Sequence, residues 1–160
     1  ASPRGRALAA AVEVRREVEF LLPWPPQPPG SAPAPVDSAA PRRYLHGVID
    51  CLYRDAEGAW HVLDYKTNRI APGAVSATAA QYELQLLAYR LACEMALGQP
   101  PAECTLVMLA PQREHAYSWD SAEAARGVAR LTAAMDAVAA ELAAAPSRPD
   151  ARGTQISPDR

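Results

Sequence analysis

Lysine is almost missing from these 160 residues. Of 16 formal cations, Lys66 alone is a lysine and the rest are arginines. No apolar run approaches the ~20 residues that a membrane span needs, so no membrane partner is expected. No basic start, apolar middle and small-residue cleavage site marks a secretory leader. The three cysteines, Cys51, Cys93 and Cys104, are far apart and form no C-x-x-C. That excludes the usual zinc and iron–sulfur spacings and suits a reducing, cytoplasmic compartment. They read as three small buried hydrophobes. An excess of basic charge is missing as well, since the formal net charge is −2. Free-standing nucleic-acid binders are usually basic, because neutralising phosphates drives their affinity. Either this chain does not bind nucleic acid, or a partner or neighbouring domain delivers it there. It also lacks a starting Met and opens in a helical stretch, which reads as a piece of something longer.

What remains is ordinary globular material, 49% hydrophobic and long enough for one domain with a real core. We expect that domain over residues 1–145. Residues 5–13 are Ala-rich and predict a short helix. Residues 14–22 alternate and predict a strand, with Val14, Arg16, Val18 and Phe20 on one side and Arg15, Glu17 and Glu19 on the other. Residues 23–41 hold eight prolines, which predicts an extended loop insertion. Residues 43–54 and 60–66 predict two strands joined by the turn Asp55–Gly58, a hairpin. Residues 70–78 read as loop. Residues 79–97 predict a helix stopped by Gly98 and Pro100. Leu84, Leu87, Leu91 and Met95 form an apolar stripe on it, expected to face the sheet. Residues 103–110 predict a short buried strand and residues 121–145 a second long helix. Val128, Leu131, Met135, Val138 and Leu142 make the core stripe of that second helix. Residues 146–160 read as a polar tail. The order is α-β-β-β-α-β-α, an α/β layout with a small mixed sheet flanked by helices.

The lone lysine ends the strand "WHVLDYK". Residues i and i+2 of a strand project from one face, so Asp64 and Lys66 share a side. Asp50 ends "GVID" in the hairpin partner. Two carboxylates and an ammonium gathered in a sheet are costly as structure alone. A divalent cation between the carboxylates is the cheaper arrangement. Mg²⁺ takes oxygen ligands, commonly one or two carboxylates. A lysine beside a metal-bound water can orient it or stabilise developing charge. Arginine, planar and always protonated, does not replace it there. For Asp-x-Lys taken alone, an ordinary ion pair at a strand end is the plainer reading. On the helix from residue 79, Tyr82, Gln85 and Tyr89 share one stripe. On a flank beside the carboxylates they can contact a phosphate backbone or stack on bases. Tyr at a core edge and Gln in solvent is the plain alternative.

Together, "GVID", "VLDYKTNR" and "YELQLLAY" resemble the nuclease domain of RecB/AddA-type helicase–nucleases, in the PD-(D/E)XK superfamily. Upstream, "RREVEF" is similar to that family's Arg-Glu-x-x-Phe strand. The resemblance covers roughly residues 5–110. It implies a restriction-endonuclease-like core and a metal-dependent DNA nuclease in double-strand-break processing and recombinational repair. Its cofactor would be Mg²⁺, with Mn²⁺ as a substitute, and its partners single-stranded DNA and the helicase domains of the parent chain or complex. It implies Glu17, Asp50, Asp64 and Lys66 as catalytic residues. Asp50, Asp64 and the backbone carbonyl of Tyr65 would be metal ligands, with Gln85, Tyr89 and Tyr82 in support. There are departures. Asn68 stands where the family has Asp. His46, His61 and His115 do not occupy the context of the family's upstream metal-site His. The four cysteines that some relatives use for an iron–sulfur cluster are absent. Tethering to a motor that threads DNA would replace intrinsic affinity, which reconciles a nuclease with the negative charge.

Overall fold

The computed structural model describes residues 2–26 and 43–144. Residues 27–41 of the Pro-rich segment and the tail expected over 146–160 lie outside the described residues.

The chain runs α1 (Pro3–Ala10), β1 (Glu13–Trp24), β2 (Arg43–Arg54), β3 (Trp60–Lys66), a 3₁₀ turn (Pro72–Ala74), α2 (Val75–Leu97), β4 (Glu103–Met108), β5 (Arg113–Tyr117) and α3 (Ser121–Ala144). The five strands form one mixed sheet in the order β1-β2-β3-β4-β5. Neighbours are antiparallel except β3 and β4, which run parallel. A parallel pair needs a crossover connection, and α2 supplies it.

Along β3, successive side chains feed two clusters. Val62 joins Ile49, Leu52, Cys104, Leu106 and Met108 under Leu86, Tyr89 and Cys93 of α2. Leu63 joins Cys51 and Tyr53 on the other face, under Leu8 of α1. The two hairpin strands have the bounds their sequence implies, because period-two patterning and the turn Asp55–Gly58 agree. Gly58 takes φ +89, which glycine tolerates. The three cysteines are free and buried, and burial pushes the Cys93 thiol up to about 12.

Several boundaries differ from expectation. α1 starts at Pro3 rather than residue 5, with the Ser2 hydroxyl accepting from Gly5 N–H. Proline suits a first helical turn because its missing N–H is not needed there. α1 is then pinned by Arg4, which donates to Tyr53, Glu103 and Glu114. β1 runs on through Pro23 to Trp24. It is an edge strand, where proline forfeits no ladder bond, and Trp24 is buried with Nε1 donating to Thr132. α2 begins at Val75, because burial of Ala79 and packing of Val75 on the core outweigh weak local propensity. β5 has no counterpart in the sequence reading. It is short and has no buried residue, and only its pairing with β4 makes it a strand.

The Leu stripe of α2 packs in a second cluster that joins the β1 and β2 end of the sheet, through Leu22, Trp24 and Leu45, with α3. Leu84, Leu87 and Leu91 pack with Leu131, Val128 and Met135. A Cβ on Gly127 would come 2.1 Å from Leu87 Cδ2, so glycine permits this close helix approach. The α3 stripe is only half used, since Val138 and Leu142 are exposed.

Candidate active site

The site forms where the sheet's ladders are interrupted. β2 and β3 pair from Arg54↔Trp60 to Cys51↔Leu63 and no further. The next opposed position carries Asp50 and Asp64. Asp50 Oδ2 accepts the backbone N–H of Tyr65 at 2.7 Å, so the side chain supplies an acceptor where the ladder has stopped. The β1–β2 ladder skips one position as well, between Arg16↔Cys51 and Val18↔Ile49. That position pairs Glu17 with Asp50 in register, and Glu17 has φ +52. Such a conformation is uncommon for a residue with a side chain. Strand alternation slips here: Ile49 and Leu52, three apart, share one cluster, while Cys51 and Tyr53 occupy the other.

Asp64 is 1% exposed and lies on the α2 face. Its Oδ1 receives Gln85 Nε2 at 3.3 Å and the Tyr89 hydroxyl at 3.5 Å. Its Oδ2 is buried with no aligned hydrogen-bond donor, although Lys66 Nζ lies 2.6 Å away as an ion pair. Lys66 Nζ also donates to Gln85 Oε1 at 3.3 Å and sits 4.4 Å from the centre of the Tyr82 ring. The Gln85 amide therefore bridges ammonium and carboxylate, its oxygen toward the one and its nitrogen toward the other. The charges of the two partners require that orientation.

Burial raises the Asp64 carboxyl above its ordinary range. Lys66 opposes this, and the negative charge of nearby Asp50 adds to it. Two carboxylates this close, one of them buried, are oxygen ligands of the kind a hard cation takes. Burial pushes the Tyr89 hydroxyl up to about 12, with Asp64 and Asp50 contributing, so it remains a donor at neutral pH.

The structure brings Asp50, Asp64, Lys66, Gln85, Tyr89 and Tyr82 together. Glu17 is exposed, and no group of three His, Cys, Asp or Glu among the described residues converges as a metal cluster. Tyr89 is 5% exposed and braces Asp64, so its ring is not an open platform for a base. His46 pairs with Glu19 and His61 with Asp55, both remote in role from the carboxylates. Sequence reasoning missed Tyr117, whose hydroxyl donates to the Ala79 carbonyl of α2 at 2.6 Å. Its strand carries no apolar run that could have announced it.

The chain matches the family model described as the PD-(D/E)XK nuclease superfamily over residues 3–155. It is similar to an ATP-dependent helicase/nuclease subunit from Desulforudis audaxviator, 40% identical over 107 residues, 66% of this chain and 8% of that protein. The like-named protein of Acetivibrio thermocellus is 31% identical over 102 residues, 64% of this chain and 8% of that protein. That of Lysinibacillus sphaericus is 32% identical over 110 residues, 65% of this chain and 8% of that protein. This chain thus spans less than a tenth of the length of those relatives. No helix among the described residues is long and apolar enough to cross a membrane.

Proposed function

This chain belongs to the PD-(D/E)XK nuclease superfamily, and from that premise we propose that it is the Mg²⁺-dependent nuclease domain of a cytoplasmic helicase–nuclease. Its reaction is hydrolysis of DNA phosphodiesters, on single strands delivered by helicase domains, in double-strand-break processing and recombinational repair. The observation that carries this reading is the closed arrangement of Asp64, Lys66 and Gln85 beside Asp50. A merely structural ion pair needs neither the second carboxylate nor the bridging amide.

Asp50 and Asp64 would hold the metal, with the Tyr65 carbonyl as a further ligand. When bound, a divalent cation supplies Lewis-acid polarisation of the phosphate and an activated water. The chain's own residues do the rest. Gln85 Oε1 and the Tyr82 ring keep Lys66 Nζ at the site independently of Asp64. The ammonium can then donate to an attacking water or to a phosphate oxygen as charge develops. Tyr89 and Gln85 hold Asp64 through Oδ1. Glu17, opposite Asp50 on a strained backbone, is assigned an acidic role at the rim of the same site.

Helicase-coupled cleavage of single-stranded DNA in Mg²⁺, compared between the natural protein and Asp64→Asn, tests the proposal. Cleavage that needs Mg²⁺ and disappears in the variant is expected. Cleavage unaffected by Asp64→Asn would reject the site. DNA or protein binding with no metal-dependent cleavage would favour a catalytically silent nuclease-fold module. Full cleavage without helicase domains would favour a stand-alone nuclease.

A further inference from the structure

Phe20 is the chain's one phenylalanine, and its cross-strand partner is Gly47. A Cβ on Gly47 would lie 2.7 Å from both Cε1 and Cζ of the Phe20 ring. The ring therefore lies against the backbone of β2, in space that only glycine leaves. From there it meets Tyr89 edge-on, with ring centroids 5.7 Å apart and planes at 82°. The Tyr89 hydroxyl in turn lies 2.6 Å from Gln85 Nε2 and 3.5 Å from Asp64 Oδ1. Phe20, Gly47, Gln85 and Tyr89 all line one open cavity of about 200 Å³. Tyr89 is itself buried, and the Phe20 ring is one of the groups in contact with it on the cavity side.

We propose that Gly47 and Phe20 are positioning residues of the nuclease site, holding Tyr89 and, through it, Gln85 and Oδ1 of Asp64. Gln85 and Tyr89 meet Oδ1 and Lys66 Nζ lies 2.6 Å from Oδ2, so the orientation of the carboxylate is set at both oxygens. This inference rests on the reading of Asp64 as a metal ligand. The ordinary alternative is that Phe20 only fills the core. It packs beside both clusters of the α2 face, so a stability loss alone would not separate the two.

The test is Mn²⁺ binding, measured by titration on the natural protein, together with cleavage of single-stranded DNA. Phe20→Leu and Tyr89→Phe should each weaken Mn²⁺ binding about 10-fold, the scale typical of residues that orient metal ligands. Because they act in one chain of contacts, the double variant should be no weaker than either single one. Gly47→Ala, which displaces the ring, should reproduce the effect. Leu22→Val, at a fully buried position on the same strand, should lower the melting temperature and leave Mn²⁺ binding unchanged. Unchanged Mn²⁺ binding in Phe20→Leu, or independent multiplication of the two effects, would overturn the inference while leaving the nuclease reading intact. A natural protein that neither binds Mn²⁺ nor cleaves DNA would overturn the nuclease reading and this one with it.

Discussion

Asp50 accepts the backbone N–H of Tyr65 at 2.7 Å, at the first opposed position where β2 and β3 no longer pair. One carboxylate thereby satisfies a backbone donor and stands next to Asp64. The two roles can be separated. Asp50→Asn keeps an acceptor oxygen for Tyr65 and should fold with nearly normal stability. Asp50→Ala leaves that N–H without its partner and should cost about 1–3 kcal/mol. Both should abolish Mg²⁺-dependent cleavage. Chemical denaturation and a cleavage assay, run side by side, check this. Cleavage surviving in Asp50→Asn would remove Asp50 from the chemistry.

Lys66→Arg is expected to be nearly as damaging as Lys66→Ala. The ammonium is a compact charge held between Asp64, Gln85 and the Tyr82 ring, and a planar fork cannot occupy that point. Misplacing a catalytic group by about 1 Å can cost on the order of 10²-fold in rate. Single-turnover cleavage of single-stranded DNA at saturating Mg²⁺ is the measurement. A Lys66→Arg rate within a few-fold of the natural protein would mean that only net charge matters.

Arg4 ties α1 to β4 and β5 through Glu103 and Glu114. Burial raises the Glu103 carboxyl, but Thr105 and Arg4 outweigh it, and the net direction is downward. A carboxyl lowered in the folded state adds stability above its unfolded value of about 4.3. That contribution fades as pH falls through the lower folded value. Glu103→Gln should therefore be less stable than the natural protein at pH 7, and the gap should close in acid. Urea midpoints at several pH values test it; a gap that widens in acid would contradict the assignment.

Gly127→Ala should destabilise despite alanine's better helix propensity. Its Cβ would meet Leu87 at 2.1 Å, and Leu87 is packed between the helices. Overpacking typically costs about 1–3 kcal/mol, against a propensity gain of about 1 kcal/mol. A net loss of about 1 kcal/mol is expected in thermal or chemical unfolding. A gain would show that Leu87 has room to swing aside.

Much of the fold and of the site is legible in the order of the residues. Arg43–Arg54 and Trp60–Lys66 carry β-branched and aromatic runs between turn residues, and pairing follows that pattern. Gly98 and Pro100 end α2 because a left-handed residue and a missing N–H cannot continue a helix. The shared side of Asp64 and Lys66 follows from strand geometry alone, since it needs only two residues of one unbroken strand. Other features depend on partners distant in sequence. The α2 Leu stripe is shared between the sheet and α3, because periodicity shows that a helix has an apolar side and not everything that covers it. The tyrosine stripe goes to the sheet because Asp64 there gives Gln85 and Tyr89 an acceptor that solvent does not hold in place. β5, polar and short, becomes a strand only because β4 presents unpaired backbone groups. Asp50 can be counted by alternation up to the ladder break and not across it. Opposite Glu17 the face rule lapses, and only the packed sheet decides which way a side chain turns.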